Sequence, residues 1–179
     1  LNCSVAISNA DDDPGHSRHG TAFDSGLRQR PWKMEGIGAT HFPITTKVPE
    51  VQAWFDQGNT LLHSFWFEEA ERSFRWCLKL DPDCAMAQWG IALTLMDNPH
   101  SAIPKPNLAP GFAAIEKAKA MNAKTERERD YIDALLLMYA DYDKVGHMQR
   151  MRLMRDAQEK LAAKYPKDDE AQIAYAITL

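Results

Sequence analysis

Apolar residues recur along the second part of the chain with the 3.6-residue period of an amphipathic helix. The first predicted helix places them at Val51, Trp54, Phe55, Gly58, Leu61, Leu62 and Phe65. A second helix starts near Glu68 and stops before Pro82, because proline lacks an amide donor and clashes with the preceding turn. A third helix, from about Cys84 to Met96, is apolar on more than one side, which predicts that it lies between neighbouring helices.

Four further helices are predicted after a proline-dense loop over residues 97–111. They cover residues 112–122, 126–142 and 147–165, and a last helix capped by Asp168 or Asp169 runs to the end of the chain. Thr125 and Glu128 have the spacing of a capping box, in which each side chain bonds the backbone amide of the other residue. The pattern therefore predicts an all-α body over residues 51–179.

Residues 1–50 show no sustained helical period and are rich in Gly, Pro, Asp and Ser. This composition predicts an extended, mostly irregular N-terminal arm, with one short strand at residues 42–46. Its apolar anchors are Phe23, Trp32, Met34, Ile37 and Phe42. They are sufficient for the arm to lie against the helical body or against a neighbouring molecule.

Residues 51–84 resemble one unit of the tetratricopeptide repeat (TPR), a helix–turn–helix motif of about 34 residues. The signature positions are Trp54, Gly58, Ala70, Phe74, Cys77 and Pro82, with Ala92 in a corresponding position of the next unit. The sequence departs from the motif at Gln57, where leucine is usual. Gly58 and Ala70 are expected where paired helices cross, because larger side chains would force the axes beyond the usual 8–10 Å or so.

The resemblance implies an α-solenoid built from helix–turn–helix repeats. Residues 51–84 form the clear repeat, and residues 85–122 form a repeat interrupted by the proline-dense loop. Residues 126–166 keep the length and the terminal proline of a degenerate repeat, and residues 168–179 start a further helix.

The wording of several segments is also similar to that of a group of exported bacterial TPR proteins without an agreed enzymatic activity. These segments include "HFPITTKVPEVQAWFDQG", "EAERSFR" and "LDPDCAMAQWGIAL". The resemblance implies a periplasmic or secreted location. It also implies partner binding in the concave groove, at Gln52, Phe55, Asn59, His63, Met86, Trp89 and Leu93. Alternatively, Phe55, Trp89 and Leu93 pack on the arm or on the next helix.

Charge and composition narrow the range of partners. A net charge of −4 and an isoelectric point near 5.9 provide no basic surface for nucleic acid or an anionic membrane. The longest apolar stretches are too short to span a bilayer. We therefore expect no nucleic-acid partner and no membrane-spanning segment.

Other candidate chemistry is sparse. His16 and His19 lie near the acidic run 11–13, which suggests a metal site, although the Gly/Pro/Ser context favours a solvated arm. Cys77 is expected to be a buried thiol, and a disulfide with Cys84 requires Cα atoms within about 7 Å. Cys3 is the third cysteine of the chain, and Asn2 begins a glycosylation sequon. We expect no catalytic residues, no cofactor and no bound metal.

The sequence thus favours a non-enzymatic scaffold that binds a protein or peptide in the TPR groove. The first alternative is a self-assembling subunit, forming a head-to-tail solenoid or filament with exchange of N-terminal arms. The apolar last helix "AQIAYAITL" motivates it, since an exposed end of a repeat array needs a polar face. A lesser alternative is a metal-binding accessory protein that uses the Asp/His arm.

Overall fold

The structure is a computed structural model that describes residues 31–179, and this part is all-helical. The helices are α1 (Pro49–His63), α2 (Phe67–Leu80), α3 (Ala85–Leu95), α4 (Lys105–Ala120), α5 (Glu126–Tyr139), α6 (His147–Lys164) and α7 (Asp169–Ile177). Each helix packs mainly against the helices before and after it in the sequence. In addition, α1 contacts α3 and α3 contacts α5.

The proline-dense segment is shorter than the predicted loop, because α4 begins at Lys105 and contains Pro106 and Pro110. Pro106 lies in the first turn, where backbone amides have no partner within the helix. Pro110 removes one interior hydrogen bond, but its neighbour Gly111 packs tightly under Tyr139. A Cβ at Gly111 would lie 2.3 Å from the Tyr139 Cε1 atom. Tertiary packing therefore outweighs the local preference of the prolines.

The capping box at the start of α5 is confirmed. The Glu128 amide donates to Thr125 Oγ1 over 3.1 Å, and the Thr125 amide donates to Glu128 Oε2 over 3.4 Å. Helix α5 ends at Tyr139 rather than at residue 142, and α7 ends at Ile177. Asp168 precedes α7 as expected, but its side chain makes no capping hydrogen bond.

The Phe74 ring of α2 lies between two glycines. A Cβ at Gly58 of α1 or at Gly90 of α3 would lie 2.7 Å from a ring carbon. Ala70, Cys77 and Ala92 are fully buried, Trp54 is buried, and Pro82 is exposed in the turn after α2. The small residues allow α1, α2 and α3 to approach closely. Gly90 was not singled out by the sequence pattern.

The arm from Pro31 to Val48 lies on the helical body without forming the predicted strand at residues 42–46. Its backbone bonds to side chains rather than to another strand. Phe42 is its buried anchor, whereas the Trp32 side chain is 58% exposed. The prediction of a strand was wrong because side-chain groups of the helices replace a strand partner.

Candidate functional site

A cavity of about 140 Å³ opens on one face of the helical body. Its wall is mostly apolar and comes from α1, α3, α5, α6, α7 and the segments beside them. The lining residues are Leu62, His63, Phe65, Phe67, Trp89, Leu93, Met96, Asp97, Pro99, Tyr131, Ala134, Leu135, Met151, Met154, Gln158, Leu161, Glu170, Ile173, Ala174, Ile177 and Thr178. Concave, largely apolar sites with a few polar groups are typical of ligand-binding pockets.

The arm fills the region beside this cavity. The Phe42 ring centroid lies 5.7 Å from that of Phe55, 5.7 Å from that of Trp89 and 5.0 Å from that of Tyr131. Trp89 and Tyr131 also line the cavity. These two rings therefore form a boundary between a region occupied by the arm and a region that is open.

Side chains of α1 bind the backbone of the arm. Gln52 accepts a hydrogen bond from the Ile44 amide over 3.0 Å and donates one to the Phe42 carbonyl over 2.9 Å. Asp56 Oδ1 accepts from the Phe42 amide over 3.1 Å. These contacts satisfy partly buried backbone groups that have no strand partner. The face thus holds a peptide segment that belongs to the chain itself.

Two carboxylates from elsewhere in the fold bind the next arm residues. Glu128 accepts from the Thr45 amide over 2.5 Å and from the Thr45 hydroxyl over 2.9 Å. Asp81 Oδ2 accepts from the Thr46 hydroxyl over 2.6 Å and from the Lys47 amide over 3.2 Å. Burial alone would raise the pKa of Asp81, but these hydrogen bonds outweigh it and leave the pKa lowered.

The polar end of the cavity joins the first helix to the last. His63 Nε2 lies 2.5 Å from Glu170 Oε1, and Asn59 Nδ2 donates to Glu170 Oε2 over 2.9 Å. The hydrogen bond with Glu170 raises the pKa of His63 against the opposite effect of burial. Asn59 Oδ1 is buried and has no hydrogen-bond partner within residues 31–179.

Arg127 connects the arm to the start of α7. Its Nε donates to Asp168 Oδ2 over 2.6 Å, and its NH1 group donates to the Pro43 carbonyl over 2.9 Å. Its guanidinium carbon lies 4.3 Å from the Phe42 ring centroid, a cation–π distance. Tyr131 also donates to Asp168 Oδ2 over 3.0 Å. Burial would raise the pKa of Asp168, but Arg127 outweighs it, and the pKa is lowered.

The residues predicted to face the groove fall into different environments. Gln52 and Phe55 contact the arm, Asn59 and His63 bond Glu170, and Trp89 lies between arm and cavity. Leu93 lines the cavity. Met86 is buried and is not among the lining residues.

The sequence gives no signal for the acidic and basic side chains that bind the arm. Asp81 lies beside the helix-stopping Pro82, Glu128 belongs to a capping box, and Asp168 precedes a helix. None of these local patterns indicates a bond to the arm or to Arg127. Arg127 and Glu170 act over separations of 84 and 107 residues, respectively, for which no local spacing gives a signal.

Cys77 and Cys84 are buried free thiols. Burial raises the pKa of Cys77 well above its usual value and that of Cys84 to about 12. Cys77 Sγ lies 3.6 Å from the Val51 carbonyl oxygen. The disulfide considered as an alternative is therefore not formed, and both thiols are packing groups.

The other candidate positions lie outside the described residues. They are Asn2, Cys3, the acidic run 11–13, His16 and His19. From residue 31 onwards, no three His, Cys, Asp or Glu side chains are grouped to hold a metal ion. In the same part of the chain, no helix has the length and apolarity needed to cross a membrane.

Compared with known proteins, the chain matches no protein-family model, no curated protein and no solved structure. What the face can bind therefore has to follow from its own geometry and chemistry.

Proposed function

We propose that this chain is a non-enzymatic, TPR-like interaction scaffold whose partner binds on the face formed by α1, α3, α5 and α7. The observation that carries the proposal is the bound arm. Gln52, Asp56 and Glu128 hold the backbone of the arm, so this face has the chemistry of a peptide-binding groove. The open cavity beyond Trp89 and Tyr131 is where a partner would bind.

The packing of the helices supports a repeat architecture. Sequential neighbours pack together, and α1, α3 and α5 contact each other in order, as the first helices of stacked helix–turn–helix units do. The glycines on both sides of Phe74 join two such units. The resemblance to exported bacterial TPR proteins leads us to propose a periplasmic or secreted location.

Three of the buried groups act in packing rather than as nucleophiles. Burial raises the pKa of Cys77, Cys84 and Tyr139, which keeps these groups protonated and unreactive. The Tyr139 hydroxyl donates to the Ala92 carbonyl over 2.6 Å, which is a structural contact. A cysteine or tyrosine that acts as a catalytic nucleophile needs a lowered pKa instead.

Site-specific photo-crosslinking in the source organism tests the proposal. A benzoylphenylalanine replacing Leu93 on the cavity wall is expected to capture a partner, which purified components then reconstitute. The matched control is Ala113, which is exposed on α4 and does not line the cavity. Equal capture at both positions, or none at Leu93, would contradict the proposal.

Self-assembly by arm exchange is a second candidate, favoured by the number of anchoring contacts on the arm. Asp56, Asp81, Glu128 and Arg127 hold residues 42–47 from three different parts of the fold. The same groups would hold the arm of a second copy. Light scattering that shows a dimer or larger species at micromolar concentration would support exchange. A monomer throughout that range would exclude it.

A further inference from the structure

The polar lining of the cavity carries a net negative charge. Asp97 and Glu170 contribute carboxylates, and no Lys or Arg is among the lining residues. Glu170 already bonds His63 and Asn59, and the raised pKa of His63 provides a cationic partner for this carboxylate. Asp97 is the second carboxylate, so a cationic group that entered the cavity would meet a complementary charge and an anionic group would not.

An unused hydrogen-bond acceptor lies on the same wall. The Gln158 Oε1 atom is buried and has no hydrogen-bond partner among residues 31–179, although Gln158 lines the cavity. A buried acceptor without a partner is unfavourable, so a ligand that brings a donor would be stabilised here. Lys and Arg side chains have only donors, and they also carry the complementary charge.

The rest of the wall is apolar and has room for one large group. Leu135, Leu161 and Ile173 are among the side chains that line it. The cavity volume of about 140 Å³ is close to that of an engineered protein cavity that binds benzene, roughly 150 Å³. A leucine or phenylalanine side chain is of that size.

We infer that the cavity binds a peptide segment in which a large apolar residue lies next to Lys or Arg. This inference rests on the proposed peptide-binding function. The apolar side chain enters between α5, α6 and α7, and the cationic neighbour binds at Asp97. A peptide fits better than a free amine because Trp89 and Tyr131 border both the cavity and the bound arm. A peptide in the cavity can therefore extend alongside the arm segment.

Three labelled peptides that differ only in charge test this inference. Each contains Leu-Phe flanked by two Lys, two Gln or two Glu, and binding to the full chain is followed by fluorescence anisotropy. We expect the Lys peptide to bind at least tenfold more tightly than the Glu peptide, with the Gln peptide between them. The difference should shrink as salt is added, because exposed charges are screened.

Two variants with equal net charge locate the effect. Asp97→Asn is expected to reduce the preference for the Lys peptide several-fold. Asp143→Asn is the control, since Asp143 is exposed in the turn after α5 and does not line the cavity. Equal effects of the two variants would show that net charge, and not this cavity, selects the peptide. That result would overturn the inference.

The remaining outcomes separate the inference from the proposed function. Equal or tighter binding of the Glu peptide overturns the inference but leaves peptide binding on this face intact. If none of the peptides binds, the inference falls, and crosslinking at Leu93 still decides the proposed function. Phenethylamine binding as tightly as the Lys peptide would reassign the ligand to a small amine and overturn the peptide assignment.

Filling the cavity provides a last check. Ala174→Trp is expected to abolish binding of the Lys peptide, and an unchanged affinity would place the peptide elsewhere. If this variant fails to fold, methyl NMR of the unmodified chain replaces it. Shifts of Leu93 and Leu135 on addition of the peptide support the inference, and their absence in a bound complex overturns it.

Discussion

The Phe74 ring packs directly on the backbone of Gly58, so that a Cβ at position 58 would lie 2.7 Å from its Cε1 atom. Phe74 is fully buried, and a Cβ at Gly90 would also lie 2.7 Å from a ring carbon. A methyl group at either glycine would therefore clash with the ring. This contact gives a physical reason for the small residue that the sequence pattern places on α1.

Gly58→Ala is expected to lower the free energy of unfolding by about 1–3 kcal/mol, because the added methyl group overpacks the core. Helix propensity alone would give the opposite sign, because alanine favours a helix over glycine by roughly 1 kcal/mol. A lower free energy of unfolding would therefore report the packing against Phe74. Urea denaturation followed by circular dichroism measures the change. Gly146→Ala is the control, because nothing lies within 4 Å of its Cβ position, and it should change stability by less than about 1 kcal/mol. Equal effects at both positions would contradict the packing argument.

Phe42→Ala is expected to release the arm and to lower the free energy of unfolding by about 3–5 kcal/mol. The ring is 1% exposed and contacts three aromatic rings, so its loss leaves a large void. Hydrogen exchange of the Ile44 and Thr45 amides should accelerate. Trp32→Ala removes a mostly exposed ring and should leave both amides protected. Unchanged exchange in Phe42→Ala would mean that the polar contacts alone hold the arm.

The His63–Glu170 contact is expected to make stability depend on pH. The pKa of His63 is raised in the folded state, so its contribution is fully present below the unfolded value of about 6.5. The contribution is lost as the pH rises through the folded pKa. His63→Gln should therefore destabilise the protein more at about pH 6 than at about pH 9. Denaturation curves at both pH values measure this difference.

Two further measurements check the assignment to His63. His100→Gln changes an exposed histidine and should give the same stability difference from the unmodified protein at both pH values. An NMR titration of His63 should give a pKa above about 6.5. A value below about 6.5 would show that burial, and not the contact with Glu170, determines the pKa of His63.

Cys77 and Cys84 are expected to resist alkylation in the folded protein. Both are buried, and burial raises the pKa of each thiol, so that little thiolate is present at about pH 8. Iodoacetamide followed by peptide mass spectrometry should modify both residues only after unfolding in denaturant. Rapid modification of either residue in the native state would show that the helices around it open locally.

The sequence predicts much of the helical architecture because the relevant signals are local. The apolar period places α1, α2, α3 and α6 within a few residues of their observed bounds, and the Thr125–Glu128 spacing identifies the start of α5. The early start of α4 is not predictable in this way. Its prolines are tolerated because Gly111 packs under Tyr139, a contact between two different helices.

The composition of the face that holds the arm is only partly visible in the sequence. The resemblance to the repeat places Gln52 and His63 on the groove side, and polar groups on an otherwise apolar helix are expected to have partners. Neither signal identifies those partners, Ile44 and Glu170, because their placement depends on how the arm and α7 fold back. Glu170 lies 107 residues from His63, and only the tertiary structure brings the two together.

The contact of Glu170 with Asn59 and His63 has a consequence for how the molecule unfolds. In a linear array, each unit touches only its neighbours, so the terminal units can fray independently. Here α7 is joined to α1 through the partly buried carboxylate of Glu170. Loss of α7 therefore removes hydrogen bonds from α1. Fraying of α7 should for this reason also loosen a helix that lies far away in the sequence.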